Sequence, residues 1–202
     1  MLIVIDYDAG NTANVLRALE KIGVRAELSA DPEKILSATG LILPGVGAYP
    51  AAMAELEKRG LVSVIKEAVA KGTPLLGICL GMQILTEKGL EHEETMGLGF
   101  IPGVCRAIPA SKDRPVPHMG WNTIRPVKEN PLLTGLNDHS KFYFLHSYYF
   151  ITENPADTIC TTDYGLTFTS AVNHRNVYGI QFHPEKSHSN GIRVLQNFAT
   201  LQ

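Results

Sequence analysis

The stretch PLLGICLGMQILTEKGL, residues 74–90, decides the fold. An apolar run ends at Cys79, with Gly77 two residues before the cysteine and Gly81 two residues after it. A continuous apolar run suits a strand covered on both faces, and LGMQILTEKG reads as the helix that follows. A strand, one residue and then a helix make a nucleophile elbow, whose serine form is G-x-S-x-G. Glycines on both flanks let strand and helix pack where a Cβ would clash. The sulfur then stands at the carboxyl end of a parallel sheet, where open α/β sheets bind ligands. It also sits at a helix N-terminus, whose positive end stabilises a thiolate. A free cysteine is otherwise often a small buried hydrophobe; Cys105 and Cys160 lack such flanks and read that way.

Working outward, the preceding residues alternate. LIVID is a strand, and NTANVLRALEKIG carries Val15, Leu16, Leu19 and Ile22 at helical spacing with Gly23 as the stop. RAELS is a second strand. DPEKIL opens a short helix, with Asp31 as cap and Pro32 in the first turn. GLILPGVG is a third strand running into a glycine loop, and MAELEKRGLVSVIKEAVAKG is helical in two pieces broken near Gly60. This alternation predicts an α/β fold with a doubly wound, mostly parallel central sheet flanked by helices.

Residues after 100 differ. GFIPGVCRAI, NTIRPV, KFYFLHSYYF, TICTTD, TFTSAVNH and VYGIQFHPE are strand-like runs between turn residues, which predicts an antiparallel extension. ENPLLTGL reads as one helical turn with Asn130 as cap, and SNGIRVLQNFATL as a closing amphipathic helix. With no repeat and no linker, residues 1–202 read as a single domain.

Composition narrows the partners. Lys+Arg 18 against Asp+Glu 20, with no long basic block, gives no reason to expect nucleic acid or an anionic membrane. Three scattered cysteines argue against a disulfide framework. No stretch reaches the roughly 18 apolar residues of a membrane helix. MLIVIDYDAG reads as a first strand rather than a signal peptide, so the expectation is a soluble cytoplasmic chain.

A nucleophile needs a base, and the base an orienter. GIQFHPEKS, residues 179–187, supplies both: in an extended chain His183 and Glu185 project to one side. Pro184 between them marks a rigid strand end. Apart from His92, which has Glu94 two residues on, the remaining histidines lack an acid at this spacing, and their intervals are not those of metal ligands, so no metal is expected. Gly45 and Gly47 in LPGVGAY let backbone approach a ligand beside Cys79. The oxyanion N–H groups are therefore expected from Leu80 and from Val46 or Gly47. Gln83 lies one helical turn past Cys79 on the same face.

Together these motifs resemble the class I (triad) glutamine amidotransferases, which carry a cysteine elbow and a distant H-x-E, here GICLGMQ and FHPEKS. Within that family, DYDAGNTANV, PGVGAY, HMGWN and FYFLHSYY resemble the glutaminase subunits of imidazole glycerol phosphate synthases. The likeness spans nearly the whole chain. It implies glutamine as substrate, a γ-glutamyl thioester on Cys79, and a Cys79–His183–Glu185 triad with no cofactor. It further implies glutamine contacts at Gly47, Gln83, Glu91, Ser147 and Tyr148; the family often has threonine where Ser147 stands. Ammonia would pass to a separate (β/α)8-barrel cyclase subunit in a heterodimer, docked near Trp121, Asn122 and Lys186. That subunit would make imidazole glycerol phosphate and aminoimidazole carboxamide ribotide in histidine biosynthesis. Sister glutaminases for anthranilate, aminodeoxychorismate, GMP or pyridoxal phosphate synthesis share the triad, which does not separate them.

Overall fold

In the computed structural model, which describes residues 1–202 apart from Ala9, Lys112, Asp113 and Gln202, strand and helix alternate up to the cysteine. The order is β1 (Leu2–Ile5), α1 (Thr12–Lys21), β2 (Ala26–Ser29), α2 (Pro32–Leu36), β3 (Gly40–Gly45), α3 (Tyr49–Lys58), α4 (Leu61–Ala70) and β4 (Leu75–Cys79). Local chemistry sets these boundaries. Asp31 caps α2 by accepting from the Glu33 N–H at 2.9 Å, a contact worth about 1 kcal/mol. Gly60, in the left-handed region, separates α3 from α4. Ala9 of the DYDAGNTANV stretch lies outside the described residues.

The chain continues through α5 (Leu80–Gln83), β5 (Thr86–Gly89), β6 (Thr95–Met96), β7 (Ile101–Ala107), β8 (His118–Thr123) and β9 (Arg125–Pro126). It closes with β10 (Lys141–His146), β11 (Tyr148–Thr152), β12 (Thr158–Asp163), β13 (Thr167–His174), β14 (Val177–Ile180) and α6 (His188–Ala199). Among the described residues one large sheet runs β2-β1-β3-β4-β14-β13-β11-β7-β5-β6, with β12 and β9 attached through β13. β2, β1, β3, β4 and β14 are parallel to their neighbours; β14-β13-β11-β7 is the antiparallel wing.

Alternate residues of each central strand feed opposite cores. Leu2, Val4, Leu76 and Ile78 pack with Val15 and Leu19 of α1 and with Val194, Leu195 and Phe198 of α6. Ile3, Ile5, Leu41 and Leu75 pack with Ile35 of α2, Leu56 of α3 and Ile65 of α4. Each fully buried side chain of this kind contributes about 1.5–3 kcal/mol. Among the described residues, no helix is long and apolar enough to cross a membrane.

Four expectations need correction. LGMQILTEKG is not one helix: α5 is a single turn, and Thr86–Gly89 forms β5, paired with β7 and β6. The β-branched Thr86 is buried, its Oγ1 2.8 Å from the Gln83 carbonyl and 2.9 Å from Tyr49 Oη. Sheet pairing and this packing override helical spacing there. VYGIQFHPE ends as a strand at Ile180, and Pro184 opens a 3₁₀ turn over Pro184–Lys186. HMGWN falls by sequence in a turn-rich segment, yet it forms most of β8, which pairs with β10 in a separate two-stranded sheet. KFYFLHSYYF is two strands, β10 and β11, broken at Ser147 so that each joins a different sheet.

Candidate active site

Strand register assembles the site. On one side of β4, Gly45 of β3 lies opposite Cys79; on the other, Ile180 of β14 lies opposite Ile78. The chain leaving β3 and the chain leaving β14 therefore emerge at the same sheet end as the cysteine. Cys79 has φ 56° and ψ −110°, a left-handed backbone costing a non-glycine residue about 1–3 kcal/mol. Such strain is held in place by its surroundings, and here that means close backbone packing. A Cβ on Gly77 would lie 2.5 Å from the Gly81 carbonyl, and one on Gly81 would lie 1.8 Å from the Leu43 carbonyl. Both flanking glycines are thus steric requirements, although Gly81 is pressed against neighbouring β3 rather than β4. With α5 only one turn long, the favourable N-terminal field at Cys79 is local: it comes from the first N–H groups, which lack intrahelical acceptors.

Cys79 is 6% exposed. Its Sγ–H donates to the Leu145 carbonyl at 3.6 Å, and the Gln181 amide donates to Sγ at 3.7 Å. His183 Nδ1 meets Glu185 Oε1 at 2.8 Å, both side chains fully buried. The pairing holds, but its geometric basis differs from strand alternation. The 3₁₀ turn after His183 folds Glu185 back beneath the ring. Asn11, far away in sequence, donates its amide to the same carboxylate oxygen at 2.5 Å, and Asn14 donates to Asn11 Oδ1 at 2.7 Å. His183 Nε2 is buried and has no well-formed hydrogen bond.

Burial alone would lower the His183 pKa. Contact with Cys79, then the Glu185 hydrogen bond, and the charge of both outweigh it and raise the ring to about 10. Burial would likewise raise the Glu185 carboxyl. The hydrogen bond and charge of His183, then the Asn11 amide, hold it below the usual range instead. A raised imidazole favours folding fully below its ordinary value of 6.5, and that contribution is lost as pH climbs through about 10. Since the sulfur is the largest raising influence, Cys79→Ala is expected to bring the His183 pKa well below about 10. An NMR titration of the ring measures this, and an unshifted midpoint would make Glu185 the sole cause.

A cleft of about 300 Å³ opens on this end of the sheet. It is lined by Val46, Gly47, Cys79, Leu80, Gln83, Glu91, Ser147, Tyr148 and His183, and also by Pro117, Leu145 and His146. Every residue expected at the oxyanion or glutamine positions thus borders one cavity. Gly47 has φ +108°, a backbone open to glycine, and Val46 beside it is exposed. Glu91 accepts from the Tyr49 N–H at the start of α3 at 2.7 Å. Gln83 is buried, its amide donating to the Tyr148 carbonyl at 2.9 Å and to Gln181 Oε1 at 3.1 Å.

Trp121, Asn122 and Lys186 are not part of that cleft. Trp121 is 47% exposed and stacks on His188 at 4.9 Å, while Lys186 Nζ lies 5.7 Å from the Tyr143 ring. Asn122 is engaged within the chain, its amide donating to the Asp163 carbonyl at 2.8 Å and to His118 Nε2 at 3.3 Å.

Sequence reasoning passed over Asn11, Gln181, His118 and His146. Asn11 had a faint local signal, an asparagine after glycine at a helix start, where φ is 78°. The two histidines stand in the HMGWN and FYFLHSYY motifs, but nothing within either motif pairs them. The acid search along the sequence also missed Asp157, whose Oδ1 lies 3.0 Å from His174 Nδ1.

The family model for glutamine amidotransferase class-I matches residues 3–201. The imidazole glycerol phosphate synthase subunit HisH of Streptococcus mutans is 62% identical over 202 residues, covering 100% of this chain and 99% of the relative. The protein of the same description from Lacticaseibacillus casei is 50% identical over 201 residues, covering 100% and 96%. The structure of PurLQS from Thermotoga maritima superposes with a TM-score of 0.77 at 20% identity, covering 99% of this chain and 97% of that one. At that identity the likeness is one of fold.

Proposed function

Because the chain belongs to the class I glutamine amidotransferases, we propose that it is the glutaminase subunit of an imidazole glycerol phosphate synthase. In this reading it hydrolyses glutamine to glutamate and hands the ammonia to a (β/α)8-barrel cyclase subunit in a heterodimer. The observation that carries the chemistry is that Cys79 and His183 line one cleft while the buried Glu185 carboxylate meets Nδ1 of the same ring. The synthase assignment is supported by relatives 50–62% identical along their whole length that carry that description.

Glutamine lies in the cleft with its side-chain amide carbon against Sγ and its amino-acid end among Gln83, Glu91, Ser147 and Tyr148. His183 takes the proton of the Cys79 thiol as the sulfur closes on the substrate. Sγ attacks the amide carbon, and the carbonyl electron pair moves to oxygen. The N–H of Leu80 and one from Val46–Gly47 stabilise that oxyanion, a contribution of about 2.7–4 kcal/mol per donor in comparable sites. His183 gives its proton to the departing nitrogen, which leaves as ammonia. Water then loses a proton to His183 and cleaves the thioester, releasing glutamate and restoring the sulfur. Glu185, held by Asn11, keeps Nδ1 protonated and Nε2 aimed at the sulfur.

Ammonia in water near neutral pH is mostly ammonium, which has no lone pair to attack with, so direct transfer is the chemical reason for a partner. Exposed Trp121, with Lys186 nearby, suits the docking face. A glutamine-mimicking alkylator is expected to add one mass increment, on Cys79 alone, and faster when the cyclase subunit is present. Labelling of Cys105 or Cys160, or none, would overturn the reading.

A further inference from the structure

The two histidines absent from the mechanism form a buried pair, of which His146 lines the cleft and His118 does not. His118 Nδ1 lies 2.9 Å from His146 Nε2, and His146 Nδ1 lies 2.8 Å from the Tyr148 carbonyl. Chemistry dictates where the protons sit. A carbonyl oxygen only accepts, so His146 Nδ1 carries hydrogen, and Nε2 of the neutral ring must accept. His118 Nδ1 is then the donor, which leaves His118 Nε2 to accept from Asn122, 3.3 Å away. The Asn122 amide is fixed independently, since its nitrogen also donates to the Asp163 carbonyl. All ring nitrogens are satisfied with both imidazoles neutral, and an added proton would set two N–H groups against each other. Burial pushes His118 down to about 4 and His146 to about 3, in agreement.

The chain does not stop at Tyr148. Its carbonyl also accepts from Gln83; Gln83 donates to Gln181, and Gln181 to Cys79 Sγ. We propose that His118 and His146 are positioning residues for the glutamine cleft. As two neutral rings bonded in series, they tie Asn122 on β8 to the Tyr148 carbonyl that holds Gln83. This rests on the glutaminase reading for its kinetic consequence but not for its proton assignment. Packing makes the test clean. His118 is stacked between Phe144, at 4.8 Å, and Tyr164, at 4.0 Å. Phenylalanine there keeps the stack and deletes only the relay.

His118→Phe, assayed with the cyclase subunit, is expected to raise KM for glutamine about tenfold, with kcat within about threefold, because binding groups are displaced rather than the reacting atoms. His118→Gln keeps one N–H for His146 and one acceptor for Asn122, and is expected to restore KM to within about threefold. In the unmodified full chain, ¹⁵N–¹H spectra should show hydrogen on Nδ1 of both rings. Hydrogen on His146 Nε2, or an unchanged KM in a folded His118→Phe, would overturn the proposal. If His118→Phe does not fold, the ring spectra decide. If the unmodified chain hydrolyses no glutamine, the glutaminase reading fails, and the spectra still judge the relay.

Discussion

Cys79→Ala is expected to lower glutamine hydrolysis by at least about 10⁴-fold, because no other group can form the covalent intermediate. The other two cysteines offer no substitute. Both are buried, and burial raises their thiols, Cys160 to about 12. His183→Ala should cost nearly as much, since the ring serves both half-reactions. Glu185→Gln should cost less, on the order of 10²–10⁴-fold, because it disturbs orientation and charge rather than removing a reacting atom. Pairing these losses should be far from additive, since the three act as a unit. A control separates the roles of the two subunits: the cyclase reaction fed with ammonium salt at alkaline pH should be untouched by Cys79→Ala. Should Cys79→Ala keep even a tenth of its glutamine-dependent rate, the proposed chemistry is wrong.

The second large effect concerns the fold of the elbow itself. Gly81→Ala is expected to destabilise the chain by at least about 3 kcal/mol. Its new methyl would lie 1.8 Å from the Leu43 oxygen, which belongs to a central strand and cannot swing aside as a flexible side chain would. The one-turn α5 must therefore withdraw from β3, carrying Leu80 and Cys79 with it. Gly77→Ala meets the Gly81 oxygen at 2.5 Å and should be harmful but milder. Gly72→Ala is the control: nothing lies within 4 Å of its added carbon, and only its φ of +97° resists substitution. Its expected cost is about 1 kcal/mol. Denaturant midpoints of the three variants test the ordering. A Gly81→Ala chain as stable as the unmodified one would show that the elbow has slack which its geometry denies.

Local chemistry made several elements readable in advance. The Asp31 cap, the break at Gly60 and the turn capped by Asn130 are each set by residues within a few positions of one another. Where reading failed, a distant partner had intervened. Thr86–Gly89 has helical spacing behind it, yet the free edge of β7 and the Tyr49 ring draw it into the sheet. Ser147 sits within an unbroken β-rich run, but its neighbours serve two sheets.

The sequence by itself determined the elbow at Cys79 and picked out the His-Pro-Glu proposed to serve it, because apolar periodicity, glycine sterics and proline's missing N–H act between near neighbours. Only the tertiary structure decided that β14 returns beside β4, bringing His183 to Cys79, and that Asn11 reaches Glu185 across 174 positions. The Asn122–His118–His146–Tyr148 series was likewise settled by packing alone. Strand order and register follow from burying both faces of the whole sheet at once, a condition that no short window of residues contains.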